Sequence, residues 1–416
     1  MKSNIITYLQ TYGQETFAER AFSEVDALIL CQFSYLKFEG IIPGISEWQA
    51  ESDGQNENRA DVAETANGVP QKQNGASEVA DGSLEKQSGT GNYADRQPDL
   101  VTILDIWRNP NRENMFYDTR FEEENRALAE AMLLSKRFQK ARFGLFLDFI
   151  NEEEHVQFSA LTCLLEDGSV KIIYRGTDES IVGWREDMNM AFTYPIPGQE
   201  YSSRYLELAA SCFDGSLNIL GHSKGGNLAV YAAMNAPEGV QARIDTIYNM
   251  DGPGFKKGVC SLELFTKIEP KILKIIPRSS LVGMILENYG GYKVVDSSAV
   301  GLLQHFACSW VVDGRGFSYL EKVDEGQRIL NEALREWLDR LTEEEQRTFV
   351  DTLFEILEAS GAADLVEFTQ DYKGCITRMI GALQNQDAAK KKQAARVIRL
   401  LFQISGETLK AQAQDW

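Results

Sequence analysis

The chain has 416 residues, of which 43% are hydrophobic and 10% aromatic, which is ordinary for a globular protein with room for more than one folded unit. Its formal net charge of −20 disfavours binding to a polyanion, so we do not expect a nucleic acid partner. The six cysteines form no Cys-x-x-Cys pair and no Cys/His cluster at zinc spacing, and we expect neither a metal nor an organic cofactor. No apolar signal segment is evident and no apolar stretch approaches the roughly 18–20 residues of a membrane span, so we expect a cytoplasmic protein.

The first predicted element is a helix within residues 22–38, where apolar residues recur at helical spacing. Residues 49–98 consist mainly of Gly, Ser, Asn, Gln, Asp, Glu and Ala, and such a segment cannot bury enough apolar surface to offset its ordering entropy. We therefore predict a disordered polar insertion there. A helix follows at Asn125–Ser135, and two β-type runs, Phe158–Leu165 and Val170–Tyr174, flank an Asp-Gly pair and predict a hairpin.

Strand-like and helical runs then alternate through the middle of the chain. The strand-like runs are Leu217–Leu220, Thr246–Met250 and Ile272–Ile276, and the helical runs are Asn227–Asn235 and Leu262–Lys267. Alternation of short, nearly continuous apolar strands with helices predicts an α/β fold with a mostly parallel sheet flanked by helices.

From about Glu325 the apolar period becomes helical, with one stripe from Leu330 to Leu341. Thr342 and Glu345 form a capping box that opens the next helix, and a last basic-faced helix is predicted around residues 395–402. These C-terminal helices could form a lid, a homo-oligomer face or a scaffold.

Four regions are predicted from these patterns. They are an N-terminal helical part of the core (1–48), the insertion (49–98), an α/β core (99–320) and a C-terminal helical region (321–416).

The strongest motif is the turn Gly221-His222-Ser223-Lys224-Gly225-Gly226, which follows a strand and opens a helix. This is the setting of the nucleophile elbow of α/β hydrolases, in which small residues must flank a strained serine. Ser223 is therefore the candidate nucleophile. The backbone N–H of Lys224 and the helix dipole would face a developing oxyanion.

A serine nucleophile needs a base, and the chain has only three histidines. His222 lies inside the elbow and points away from the serine, and His155 precedes the nucleophile in an acidic loop. His305 alone follows Ser223 in the order that α/β hydrolases use, so it is the candidate base.

The acid is less firmly indicated by the sequence. Asp251 directly follows the strand Thr246–Met250, at the sheet edge where catalytic groups gather, and it begins an Asp-Gly-Pro-Gly turn. Either a catalytic or a turn-forming role fits Asp251. Asp296 is nearer to His305 in sequence and is the second candidate.

The motifs of this sequence resemble those of two related groups of proteins. Arg175-Gly176-Thr177 after a strand, then Trp184 and Asp187, then the Gly-His-Ser-x-Gly-Gly elbow, resemble the class 3 lipases. The whole pattern is more similar to the Mbeg1-like bacterial family, whose activity is inferred. The matching stretches are Asp26–Phe38, Tyr174–Phe192, Gly221–Ala233, Asn249–Phe255, Ile276–Leu286 and Gln304–Trp310. The resemblance implies an α/β-hydrolase fold, a second oxyanion donor at Thr177, and a small-molecule or lipid ester substrate.

One departure from that pattern concerns the acid. Class 3 lipases carry it in a segment after the strand equivalent to Ile272–Ile276, and Ser280 stands at that position here. Either Asp251 supplies the acid or the triad is incomplete. Three functions therefore stay open: an acyl-ester hydrolase, a hydrolase-fold binding or regulatory protein without turnover, and an acyltransferase that uses the same serine.

Overall fold

A computed structural model gives the architecture of the chain. It describes residues 3–45, 98–117, 119, 121–178 and 180–358, with isolated positions between 374 and 392. The predicted insertion, apart from Pro98, and the predicted helix around residues 395–402 lie outside the described residues, and the four-region division stays a prediction. No helix within the described ranges has the length and apolar character that crossing a bilayer requires.

The strands form one large sheet and one small one. They are β1 (Val101–Thr102), β2 (Arg142–Asn151), β3 (Val156–Leu164), β4 (Val170–Tyr174), β5 (Leu217–His222), β6 (Ile244–Met250), β7 (Ile272–Pro277), β8 (Lys293–Val295), β9 (Val312–Asp313), β10 (Gly316–Phe317) and β11 (Tyr319–Leu320). The large sheet has the order β1-β2-β3-β4-β5-β6-β7-β8-β11, and β9 pairs with β10. Strands β4 to β8 run parallel to one another, while β1, β3 and β11 pair antiparallel to their neighbours. The predicted hairpin is confirmed, because Leu164 pairs with Val170 across the Asp-Gly turn.

The helices surround this sheet. They are α1 (Ile5–Tyr12), α2 (Glu24–Phe33), α3 (Ile103–Arg108), α4 (Glu122–Leu134), α5 (Ile181–Asn189), α6 (Pro197–Cys212), α7 (Lys224–Asn235), α8 (Glu238–Arg243), α9 (Leu262–Ile268), α10 (Glu325–Asp339) and α11 (Glu343–Glu358). Helix α2 lies within the predicted range of 22–38. It ends at Phe33, and the turn that follows carries Tyr35 towards the elbow, where its hydroxyl meets the ring of His222.

Apolar side chains are buried on both faces of the sheet. One cluster joins α1, α2 and α4 to the sheet and includes Leu28, Phe33 and Met132. The other joins α6 and α7 to the opposite face and includes Tyr205 and Leu228. Helices on both faces of a mostly parallel sheet confirm the predicted α/β fold class.

The parallel strands place four loops at one edge. Thr177 follows β4, Ser223 follows β5, Asp251 follows β6 and Ser280 follows β7. Because β4 to β7 are adjacent and parallel, their carboxyl ends meet at the same edge of the sheet, where ligands bind in open α/β folds.

Candidate active site

Ser223 lies in a strained turn between β5 and α7. Its φ of 60° and ψ of −135° fall in a region that residues other than glycine rarely adopt. The turn is closed by hydrogen bonding, since the Ser223 N–H donates to the Met250 carbonyl at 2.9 Å. A β-carbon at Gly221 would lie 1.9 Å from the carbonyl oxygen of Gly225, so the close approach of strand and helix requires glycine at position 221. The hydroxyl of Ser223 thus stands at the carboxyl end of the sheet on a fixed backbone.

Asp251 and His305 meet beside this turn. The His305 Nδ1 lies 2.6 Å from the Asp251 Oδ2, and Asp251 is fully buried whereas 27% of the His305 side chain is exposed. The other carboxylate oxygen, Oδ1, accepts from the Ser280 hydroxyl at 2.5 Å and from the Gly283 N–H at 3.1 Å. Both oxygens of the buried carboxylate therefore have donors, which holds the group in one orientation.

The remaining acid and base candidates lie elsewhere. Asp296 has its carboxylate 3.8 Å from the guanidinium of Arg278, and its backbone N–H donates to the Ser318 carbonyl. His155 sits in the turn between β2 and β3. Of the two acids weighed from the sequence, Asp251 is the one that contacts His305.

His305 lies next to the elbow, because its ring centroid is 4.5 Å from that of His222, the residue before Ser223. Within the described residues no hydrogen bond joins the Ser223 hydroxyl to His305. Hydrogen bonds between nucleophile and base are commonly long in ligand-free hydrolases and shorten when substrate binds.

The loop after β4 packs directly against the elbow. A β-carbon at Gly176 would lie 2.9 Å from the β-carbon of Ser223 and 2.7 Å from the His222 carbonyl oxygen, so only glycine permits this contact. The next residue, Thr177, donates its hydroxyl to the Asp187 carboxylate at 2.6 Å. Burial raises the pKa of Asp187 to about 6, although the Lys224 ammonium and the Thr177 hydroxyl act in the opposite direction. Thr177 is thereby held in the loop that contacts Ser223.

The side chain of Lys224 is directed into the core. Its ammonium donates to the Glu186 carboxylate at 2.6 Å and to the backbone carbonyl of Gln157 at 2.7 Å, and both charged side chains are about 1% exposed. The ion pair ties the start of α7 to α5. What Lys224 offers the site is therefore its backbone at the N-terminus of α7, where the helix dipole favours negative charge.

Sequence comparison assigns the chain to a family. The sequence model of the Mbeg1-like family matches residues 132–355. The chain belongs to the Mbeg1-like family. This match spans β2 to α11 and so contains the elbow, Asp251 and His305. No curated protein sequence matches the chain.

Three solved structures are similar to this Mbeg1-like chain at low identity. A deletion mutant of the Rhizomucor miehei lipase propeptide complex has 12% identity and a TM-score of 0.33, covering 44% of this chain and 70% of that one. The native form of that complex has 15% identity and a TM-score of 0.30 (44% and 61%). The M37 lipase has 15% identity and a TM-score of 0.28 (41% and 65%). At these TM-scores the similarity carries no information about the substrate of this chain.

His222 connects the elbow of this Mbeg1-like chain to the loop that carries His305. Its Nε2 lies 2.8 Å from the His305 carbonyl oxygen and its Nδ1 lies 3.1 Å from the Tyr35 hydroxyl. A carbonyl can only accept, so Nε2 carries the proton and donates to His305. Burial raises the pKa of Tyr35, so that hydroxyl keeps its proton and donates to Nδ1. His222 is thus held neutral in one tautomer.

We expect this neutral histidine to make stability depend on pH. Burial and the neighbouring His305 lower the pKa of folded His222 well below 6.5, the value near which the unfolded chain binds the proton. As the pH falls below 6.5 the unfolded state gains the proton first, so the folded state loses stability. From pH 7.5 to 5.5 the wild type should lose about 1.4 kcal/mol more unfolding free energy than His222→Gln, which keeps a donor and an acceptor but does not titrate.

Urea unfolding of both proteins at the two pH values measures this difference. The raised pKa of Asp187 makes the folded state gain stability as the pH falls, which is opposite to the effect of His222. Asp187 is present in both proteins, so its contribution cancels in the difference between wild type and variant. Equal losses in wild type and variant would contradict a neutral, buried His222.

The sequence interpretation missed the positioning roles of several residues of this site. Ser280 and Gly283 hold Asp251, and His222 with Tyr35 holds the His305 backbone. Lys274 donates to the carbonyls of Gly283 and Gly252, in the two loops beside Asp251, and burial lowers its pKa to about 7. A lysine inside an otherwise apolar strand was the signal in the sequence that could have identified it.

In the described ranges no group of three or more His, Cys, Asp or Glu side chains could hold a metal ion.

Proposed function

We propose that this Mbeg1-like protein is a serine hydrolase that cleaves an acyl ester through an acyl-enzyme. The observation that carries the proposal is the 2.6 Å hydrogen bond between His305 and the buried carboxylate of Asp251, next to a serine in a strained strand–helix turn. An imidazole whose Nδ1–H is held by a buried carboxylate presents Nε2 as a base, which is what a serine nucleophile needs.

In the proposed acylation step, the Ser223 oxygen attacks the ester carbonyl while its proton passes to Nε2 of His305. The oxyanion is held by the backbone N–H groups of Thr177 and Lys224. The carbon–oxygen bond to the alcohol then breaks, and His305 returns the proton to the leaving alcohol. Asp251 stays ionised, fixes the tautomer of His305 and stabilises the imidazolium that forms.

In the second half-reaction a water molecule gives its proton to His305 and attacks the acyl-enzyme. The Ser223 oxygen leaves and recovers that proton, and the carboxylic acid is released. Every bond broken is matched by one formed, and no cofactor takes part.

Labelling with a fluorophosphonate probe tests this proposal. We expect the wild-type protein to become labelled on the peptide that contains Ser223, because the probe reacts with a serine that a base activates. Ser223→Ala and His305→Ala should both lose the label, while Ser180→Ala, at the N-terminus of α5, should keep it.

Mass spectrometry of the digested protein identifies the labelled peptide, and heat-denatured wild type controls for non-specific reaction. A folded wild type that takes up no label would contradict the hydrolase function and favour a binding or regulatory protein with this fold.

A further inference from the structure

A cavity of about 260 Å³ opens beside Ser223, and its walls are almost entirely hydrocarbon. Two of these walls come from the C-terminal helices, with Leu334 and Trp337 on α10 and Phe349 and Val350 on α11. The polar groups that reach it are few. Among the described residues that line it, the charged ones are Asp187 and Lys224, and the ammonium of Lys224 is already paired with Glu186.

Helix α10 is fastened to the loop that follows β7. The Asn331 side chain donates to the Ser280 carbonyl at 3.0 Å, and Arg335 donates to the Met284 carbonyl at 2.8 Å. Asn331 is buried, so its bond to Ser280 is shielded from water. The same loop supplies the Ser280 hydroxyl and the Gly283 N–H to Asp251, and α10 therefore supports the acid as well as the cavity.

Helix α11 is fastened to α5 and to the segment after it. Arg185 on α5 forms an ion pair with Asp351 at 2.9 Å. Next to this pair, Phe192 packs with Val350 and Phe354 in a small apolar cluster. Both helices are thus attached to the core, and together they form one side of the cavity.

We propose that α10 and α11 form the binding site for the acyl group, and that the substrate is an ester of an uncharged hydrocarbon acid of medium length. The inference rests on the proposed function of Ser223, whose hydroxyl lies at this cavity. A hydrocarbon chain suits walls that offer few partners for a polar group, since apolar surface gains from leaving water. An anionic acyl group is disfavoured, because the Asp187 carboxylate lines the cavity and would repel it, while the ammonium of Lys224 is already paired with Glu186.

The volume of the cavity restricts the length of the chain. About 260 Å³ is slightly less than the roughly 300–1,000 Å³ of pockets that enclose drug-sized ligands. A long lipid chain exceeds this space, whereas an acetyl group leaves most of it unfilled. We therefore expect an octanoyl ester to be preferred to both an acetyl and a palmitoyl ester.

Trp337 is the largest side chain among the lining residues and sets the size of the site. Its ring packs edge-on against Phe349, with 6.0 Å between centroids. Replacement by alanine should enlarge the cavity at the α10 wall. Leu334, three residues earlier on the same face, offers the opposite change, because a tryptophan there would fill the space.

Hydrolysis of p-nitrophenyl acetate, octanoate and palmitate by the full chain tests the site. In Trp337→Ala we expect the ratio of kcat/KM for palmitate to that for octanoate to rise by about tenfold or more, the usual scale of discrimination by an apolar pocket. In Leu334→Trp, kcat/KM for octanoate should fall by about tenfold relative to acetate. Leu330→Ala is the matched control, since this leucine is 42% exposed on α10 and should leave both ratios unchanged.

A binding measurement separates this inference from the proposed function. Octanamide, an uncharged probe with the expected chain length, is titrated calorimetrically into wild type and into the same variants, with melting temperatures to establish that each is folded. The acyl site would be overturned if the protein is labelled by the fluorophosphonate but neither Trp337→Ala nor Leu334→Trp changes the ester ratios or the probe binding. The proposed hydrolase function would stand in that case. If the wild type is not labelled by the fluorophosphonate, loss of probe binding in Leu334→Trp would still support the acyl site. If the wild type does not bind the probe, the acyl site is overturned.

Discussion

Ester hydrolysis by Asp251→Asn is expected to fall by about 10⁴-fold in kcat, the scale of the same substitution in Ser-His-Asp proteases. The carboxylate accepts the Nδ1–H of His305 at 2.6 Å, which leaves Nε2 unprotonated and ready to act as a base. An asparagine amide in this place can donate to Nδ1, which moves the proton of the neutral imidazole to Nε2. The substitution keeps the shape of the side chain, so the loss would come from the tautomer and the missing charge.

The control for this experiment is Asp296→Asn. Asp296 is closer to His305 in sequence, yet its carboxylate faces Arg278, so its variant should keep the wild-type kcat. Both variants are assayed with p-nitrophenyl octanoate, and circular dichroism establishes that they are folded. A decrease of less than tenfold for Asp251→Asn would mean that the acid does not act through His305.

The largest loss of stability is expected at the N-terminus, where Asp26→Ala should lower the free energy of unfolding by about 3–5 kcal/mol. Arg137 and Asp26 are both fully buried and form a bidentate ion pair, with both N–O distances 2.6 Å. The guanidinium also donates to backbone carbonyls of one loop, at residues Glu15, Thr16, Arg20 and Ala21. Removing the carboxylate leaves a buried cation whose remaining partners are neutral.

Replacing both partners tests the cause of that loss. In Asp26→Leu/Arg137→Met no unpaired charge is left in the core, so the double variant should lose much less stability than Asp26→Ala. Urea unfolding of the three proteins at pH 7 gives the comparison. If the single and double variants lost equal amounts, uncompensated charge would not be the cause.

The sequence predicts the central part of the fold well because each element there has a strong local signal. The strands β3 to β7 are nearly continuous apolar runs, and the turn at Asp167-Gly168 fixes the hairpin. Several elements are not predicted, and α6 and β8 are two of them. Helix α6 begins with Pro-Gly and contains three serines, which weaken the apolar period, and β8 has only three residues. Both are formed through tertiary packing, which a local pattern does not contain.

The candidate site is only partly predictable for a similar reason. Ser223 is recognised because strand, turn and helix are contiguous in the chain. The contact of Asp251 with His305 spans 54 residues and depends on where the loop carrying His305 returns to the sheet edge. Ser280 illustrates the limit. The sequence shows only that it stands where class 3 lipases carry an acid, whereas its hydrogen bond to Asp251 follows from the adjacency of β6 and β7.

The position of α1 and α2 within the core has a consequence for biosynthesis. The Asn4 side chain donates to the Cys308 carbonyl, and Glu15 pairs with Arg315, so this segment binds one that the ribosome makes about 300 residues later. At 5–20 residues per second this delay is roughly 15–60 s. Helix α2, which is buried along almost its whole length in the folded protein, is made well before α4 and the central strands that cover it, and the segment around Cys308 follows later still. The nascent chain therefore has to keep an apolar helix from aggregating until α4 and the central strands have emerged.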